Sequence, residues 1–149
     1  MKRLAALVLS AALLLGSAAA VTPEEAFPDK NEYPGYADVA DTAWYTDAAR
    51  VCYEVGLITG TNAGFAPDQV LTVGEVAAIA ARMHEAITGE ALPAAQPGQP
   101  WYAPYVACLE GLGVDVPDGA KAATRLELLT LMGSVIPEDM LAPINCITV

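Results

Sequence analysis

Beyond an apolar run at the start, hydrophobic side chains recur along this chain at helical rather than strand spacing. Ala48, Val51, Cys52 and Val55 share one face of a helix that begins near Trp44 and is stopped by Gly56 and Gly60. Gly64 and Pro67 mark a loop. A second helix opens at Thr72 and runs to about Thr88, with Val76, Ile79, Ala80, Met83 and Ile87 on one side and Gly89 at its end. Residues 90–100 are rich in proline and read as a linker. A third helix is predicted from Trp101 or Tyr102 to Leu112, with Pro104 in its tolerant first turn. A fourth runs from Thr124 to about Val135, turns Leu128, Leu129 and Met132 inward, and stops at Pro137. The pattern predicts an all-α fold with at most short strand-like pairings in the two loops.

The two halves of this pattern repeat each other. Trp44-Tyr45 returns as Trp101-Tyr102 and Gly56-Leu57 as Gly113-Val114, both at an offset of 57 residues. Each half then reaches Thr-x-x-Glu: Thr72 with Glu75, and Thr124 with Glu127. That spacing is a capping box, in which the threonine hydroxyl accepts from the N3 amide and the N3 glutamate reaches back to the cap amide. The step from glycine to threonine is sixteen residues in the first half and eleven in the second, so the second loop is shorter.

The order Tyr36-Ala37-Asp38-Val39, Trp44-Tyr45, Gly56-Leu57-Ile58-Thr59-Gly60, Gly64-Phe65-Ala66-Pro67-Asp68, Leu71-Thr72-x-x-Glu75 and Arg82 resembles an S-layer homology (SLH) repeat. The resemblance implies tandem helix–loop–helix repeats packed as a small helical bundle. It divides the chain into a first repeat at 36–89, the linker at 90–100, a degenerate second repeat at 101–137, and an apolar tail at 138–149 where a third repeat would begin. Such modules tether secreted proteins to bacterial wall polysaccharide, often through a pyruvylated sugar. The resemblance therefore implies a secreted cell-surface attachment module whose partner is an anionic secondary wall polysaccharide, with further repeats or self-association as other contacts. Arg125, within Thr-Arg-x-Glu, falls where the family contacts the acidic sugar, a role suited to a planar guanidinium. Trp44 and Trp101 are the candidate sugar-facing aromatics, with core packing as the alternative for each. Asp38 is the candidate polar contact, or else a cap for the approach to the first helix. Val73 stands where the family carries arginine, and an arginine restored there is expected to add a second cationic contact.

The charge and the N-terminus narrow the setting. Lys2-Arg3, the apolar stretch from Leu4 to Leu15 and Ala18-Ala19-Ala20 have the layout of a secretory signal at residues 1–20, followed by an irregular lead-in at 21–35. Beyond the signal, five basic residues face eighteen acids, a net charge of −13. That balance repels nucleic acid and anionic lipid, and membrane insertion after cleavage is not expected. Cys52, Cys108 and Cys146 read as buried small apolar side chains, too few for a disulfide framework and too far apart for zinc. His84 has no nucleophile at a meaningful spacing and reads as an exposed helix residue. No enzymatic activity, metal or cofactor is expected. The alternative to glycan attachment is a structural or protein-interaction module that has lost the sugar site, or the N-terminal part of a larger surface protein.

Overall fold

A computed structural model describes residues 22–61, 64–138 and 140. The expected signal segment and most of the apolar tail, including Cys146, lie outside the described residues. Among the described residues five helices occur: α1 (Pro23–Ala26), α2 (Thr46–Glu54), α3 (Val73–Thr88), α4 (Ala103–Gly111) and α5 (Arg125–Gly133). Among the described residues the extended pairings are two isolated bridges, Thr61 with Gly64 and Thr72 with Ala122. The described fold is thus helical. The lead-in, expected to be irregular, carries the single turn α1 at its start.

The helix ends follow local chemistry. Thr72 accepts the Glu75 amide on its hydroxyl, and the Glu75 carboxylate takes the Thr72 amide at 2.7 Å. Thr124 and Glu127 repeat this at α5, again with 2.7 Å to the cap amide. Each box satisfies donors that a helix start leaves unpaired. By contrast, α2 and α4 begin at Tyr45 and Tyr102 without a side-chain cap, and Pro104 occupies the first turn of α4. Replacing either threonine by alanine is expected to cost about 1 kcal/mol, read as a lowered urea midpoint.

The core is built around α3, which packs against both α4 and α5. Val73, Val76, Ala77 and Ala80 of α3 close with Leu109, Leu131 and Val135 into one buried cluster. Because α3 is covered on two sides, its buried surface is far wider than the single stripe the spacing predicts, and it includes Val73 at 0 % and His84 at 9 % exposure. His84 is therefore a buried residue rather than an exposed one; its ring nitrogen lies 3.4 Å from a Glu90 carboxylate oxygen. Two other inward faces also differ from the spacing. In α5 the buried leucine is Leu131, while Leu129 is 67 % exposed. In α2 Ala49 is buried, as is Val55 just past its end, whereas Val51 is 47 % exposed. The lead-in fixes α2 by its last carbonyls: Lys30 and Asn31 amides donate to Glu54 and the Asn31 side chain donates to Tyr53. Tyr33, Tyr36 and Tyr53 then meet edge to face.

The two helix pairs join through the backbone before α5. Val73 and Gly74 amides donate to the carbonyls of Lys121 and Gly119, and the Ala123 amide donates to Leu71, each at 2.8–2.9 Å. These bonds lay residues 119–123 across the start of α3. Tyr102 fills the space between: a Cβ on Gly74 would meet its ring at 2.7 Å and one on Gly119 at 2.5 Å. Only glycine permits this approach on both sides. The arginine expected to be tolerated at position 73 has no room there, because that position is sealed by the second helix pair.

Candidate functional site

Where the two helix pairs meet they leave a cleft of about 530 Å³. One wall is the loop after α2, with Leu57 to Thr61 and Phe65 to Pro67. The floor is the face of α3 that presents Glu75, Ala78, Ile79 and Arg82, and Trp101 closes the far side. Glu75, Ile79 and Arg82 fall on one stripe because they lie four and three residues apart on a helix. The cleft thus combines apolar walls, hydroxyl and amide groups from Thr59, Thr61 and Gln69, a carboxylate and a guanidinium, around an indole that is 57 % exposed.

Arg82 ties the loop after α2 to α4. Its guanidinium donates to the Leu57 carbonyl at 3.0 Å and to the Tyr105 hydroxyl at 3.4 Å, and lies 5.4 Å from the centre of the Tyr105 ring. Two of its five N–H groups are used in these bonds, so donors remain for a ligand. The sequence marks Arg82 only as the end of the repeat; its place seven and three residues beyond Glu75 and Ile79, on one helical stripe, was the available signal. Trp101 meets Tyr102 and Tyr105 edge on, and the Tyr105 ring also lies under Arg82.

Asp38 acts on the opposite wall. Its carboxylate accepts the Phe65 amide at 3.0 Å and the Ala66 amide at 2.7 Å. It caps neither α2 nor its approach. Ala66 has φ +56°, left-handed backbone that costs a non-glycine residue free energy, and the Asp38 bond holds it there. Gly64 makes the approach possible, since a Cβ there would lie 2.5 Å from the carboxylate. The two amides hold the Asp38 carboxyl below its ordinary value of 3.8. A lowered folded value contributes stability above pH 3.8 that is lost as pH falls through it. Asp38→Asn is therefore expected to lower the urea midpoint at neutral pH and to converge with the wild type in acid. Equal deficits at both pH values would count against the charged bond.

The remaining candidates lie apart from the cleft. Trp44 is 94 % exposed, so core packing does not account for it; its ring meets Tyr45 edge on, and Tyr45 stacks on Phe65 of the cleft wall. Trp101 is likewise not a core residue. Arg125 is the first residue of α5, exposed, and makes no hydrogen bond or ion pair with a described residue. The structure thus brings Trp101 and the support of Asp38 to one site, sets Trp44 one ring behind its wall, and places Arg125 elsewhere. Cys52 and Cys108 are free and half-buried, and burial pushes both thiols up. Among the described residues no group of three His, Cys, Asp or Glu side chains could hold a metal, and no helix is long and apolar enough to cross a membrane.

No curated protein and no solved structure matches the chain. The family model of the S-layer homology domain matches residues 35–77. That span holds Asp38, α2, the loop forming the cleft wall and the capping box of α3. Domains of this family are non-catalytic binding modules that attach proteins at the cell surface. Residues 35–77 of the chain are thus similar to an S-layer homology domain.

Proposed function

We propose that the chain is a secreted attachment module that binds an anionic wall polysaccharide of a bacterium in the cleft between its two helix pairs. The observation that carries this reading is the half-exposed Trp101 that lines, together with Arg82, a cleft of about 530 Å³. An indole face packs against the apolar face of a sugar ring, while hydroxyls and amides at the rim take its polar edge. The unused Arg82 donors suit a carboxylate such as a pyruvyl group. In a chain of net charge −13 after the signal, that guanidinium is a local positive spot. The second helix pair, with its own capping box and Trp-Tyr lead, acts as a degenerate second repeat whose Trp101 completes the site of the first.

A second reading places the acidic sugar at Arg125, favoured by its exposed guanidinium with no described partner. Co-sedimentation with purified Gram-positive walls, with and without the pyruvyl-bearing polysaccharide, tests both. Binding that needs the polysaccharide and survives Arg125→Ala supports the cleft; loss on Arg125→Ala alone supports the second reading. No sedimentation with either wall overturns both and leaves a structural or protein-interaction module.

A further inference from the structure

We propose that Glu75 makes the cleft selective for a glycan in which a singly charged sugar stands beside an uncharged, hydroxyl-bearing one, and that it turns away polymers with a carboxylate on every ring. The proposal rests on the cleft reading given above and specifies which anionic glycan that cleft takes.

The charge inside the cleft is balanced. Of the residues lining it, Arg82 is the one cation and Glu75 the one anion. Lys30, Arg50, Lys121 and Arg125 lie outside the lining, so no further cation there offsets the carboxylate. Glu75 and Arg82 stand seven residues apart on the same stripe of α3, which sets their backbone positions about 10 Å apart along the helix axis. Ala78 and Ile79 come between them and give that interval an apolar floor. A pyranose ring is shorter than the interval. A sugar whose carboxylate meets the Arg82 donors therefore places its neighbour toward Glu75.

The two capping boxes supply a contrast that singles out Glu75. In both, one carboxylate oxygen closes the box. Oε2 of Glu75 accepts the Thr72 amide at 2.7 Å and the Thr72 hydroxyl at 2.9 Å. Oε2 of Glu127 accepts the Thr124 amide at 2.7 Å and the Thr124 hydroxyl at 2.8 Å. The second oxygen differs. Oε1 of Glu127 takes the Lys121 ammonium at 3.5 Å. Oε1 of Glu75 meets no cation and no donor among the described residues, on a side chain that lines a cavity. Capping thus uses half of this carboxylate and leaves the other half to the cleft. There it accepts a sugar hydroxyl in a charge-assisted hydrogen bond. Against a second carboxylate it acts in the opposite sense, since like charges brought together reject a wrong partner.

Glu75→Gln removes the charge and keeps the helix start, because glutamine at the third helical position still completes a capping box. Two probes are compared by titration: a wall polysaccharide with one pyruvyl group per repeating unit, and polygalacturonic acid, which carries a carboxylate on every ring. The wild-type chain should bind the first at least about tenfold more tightly than the second. Glu75→Gln should narrow that ratio about tenfold, chiefly through tighter binding of polygalacturonic acid, with little change in melting temperature. Glu127→Gln alters the matching cap outside the cleft and should leave the ratio as in the wild type. A ratio unchanged by Glu75→Gln, or changed equally by Glu127→Gln, overturns the proposal and leaves the cleft reading, which Trp101→Ala decides. A wild-type chain that binds polygalacturonic acid as tightly as the pyruvylated polymer overturns it as well, independently of how the variants fold. Wild-type binding to neither polymer removes the cleft reading and the selectivity with it.

Discussion

Val73→Arg is expected to unfold the protein or leave it with a small fraction of its stability. The side chain is 0 % exposed within the central cluster, and the amide beside it donates to Lys121 of the second helix pair. An arginine there would bury a guanidinium with no carboxylate in the cluster to receive it. Leaving such a charge unpaired costs on the order of 4 kcal/mol or more, a large part of what holds a domain of this size together. Thermal melting and urea titration of the variant read the loss directly. A variant that melts as the wild type does would mean that residues 119–123 lift away from α3 at little cost, and the description of the joint between the helix pairs would have to change. The same substitution reads from the family resemblance as the restoration of a binding residue, because Val73 stands where the family carries arginine; the corresponding Arg125 is exposed.

The difference between Val73 and Arg125 shows what the residue pattern carries and where it stops. Helix number, helix ends and capping follow from neighbours in sequence: threonine three residues before glutamate, glycine at the end of an apolar run, proline in a first turn. These are local, and α3 and α5 begin where the sequence places them. Which face of each helix is covered is a tertiary property. In α3, which two neighbours cover, nine residues are buried, and His84 is one of them although the sequence reads it as an exposed helix residue. In α5 a leucine at either of two adjacent stripes satisfies the same spacing, and packing against α3 selects Leu131 over Leu129.

The candidate site was legible in part for the same reason. Trp101 and Asp38 stand out from the repeat, but the cleft arises only when the second helix pair meets the loop of the first. Glu75 reads as a cap and is a cap; that it also faces the cleft follows from the α3 stripe it shares with Arg82. Asp38 holds the cleft wall through two amides that are 27 and 28 residues away in the chain, a contact with no sequence signature. Tyr102 leaves its mark only as the need for glycine at two distant positions, Gly74 and Gly119.

Trp101→Ala is expected to abolish retention on polysaccharide-bearing walls with little change in melting temperature. The indole is 57 % exposed and outside the buried cluster, so its removal opens no cavity in the core. Its ring contacts are edge-on to Tyr102 and Tyr105, and Tyr102 stays locked between Gly74 and Gly119 without it. In the cleft, however, Trp101 is the one lining residue from the second helix pair, alongside Arg82 and the loop after α2. Loss of a central aromatic from a binding site typically costs about 2 kcal/mol or more, roughly thirtyfold in affinity. Trp44→Ala supplies the comparison: that indole is 94 % exposed and one ring behind the wall, so its removal should weaken retention far less. Equal losses from the two variants would point to a general surface effect. Full retention by Trp101→Ala, with its fold intact by circular dichroism, would remove the cleft from the binding site and return Arg125 to first place.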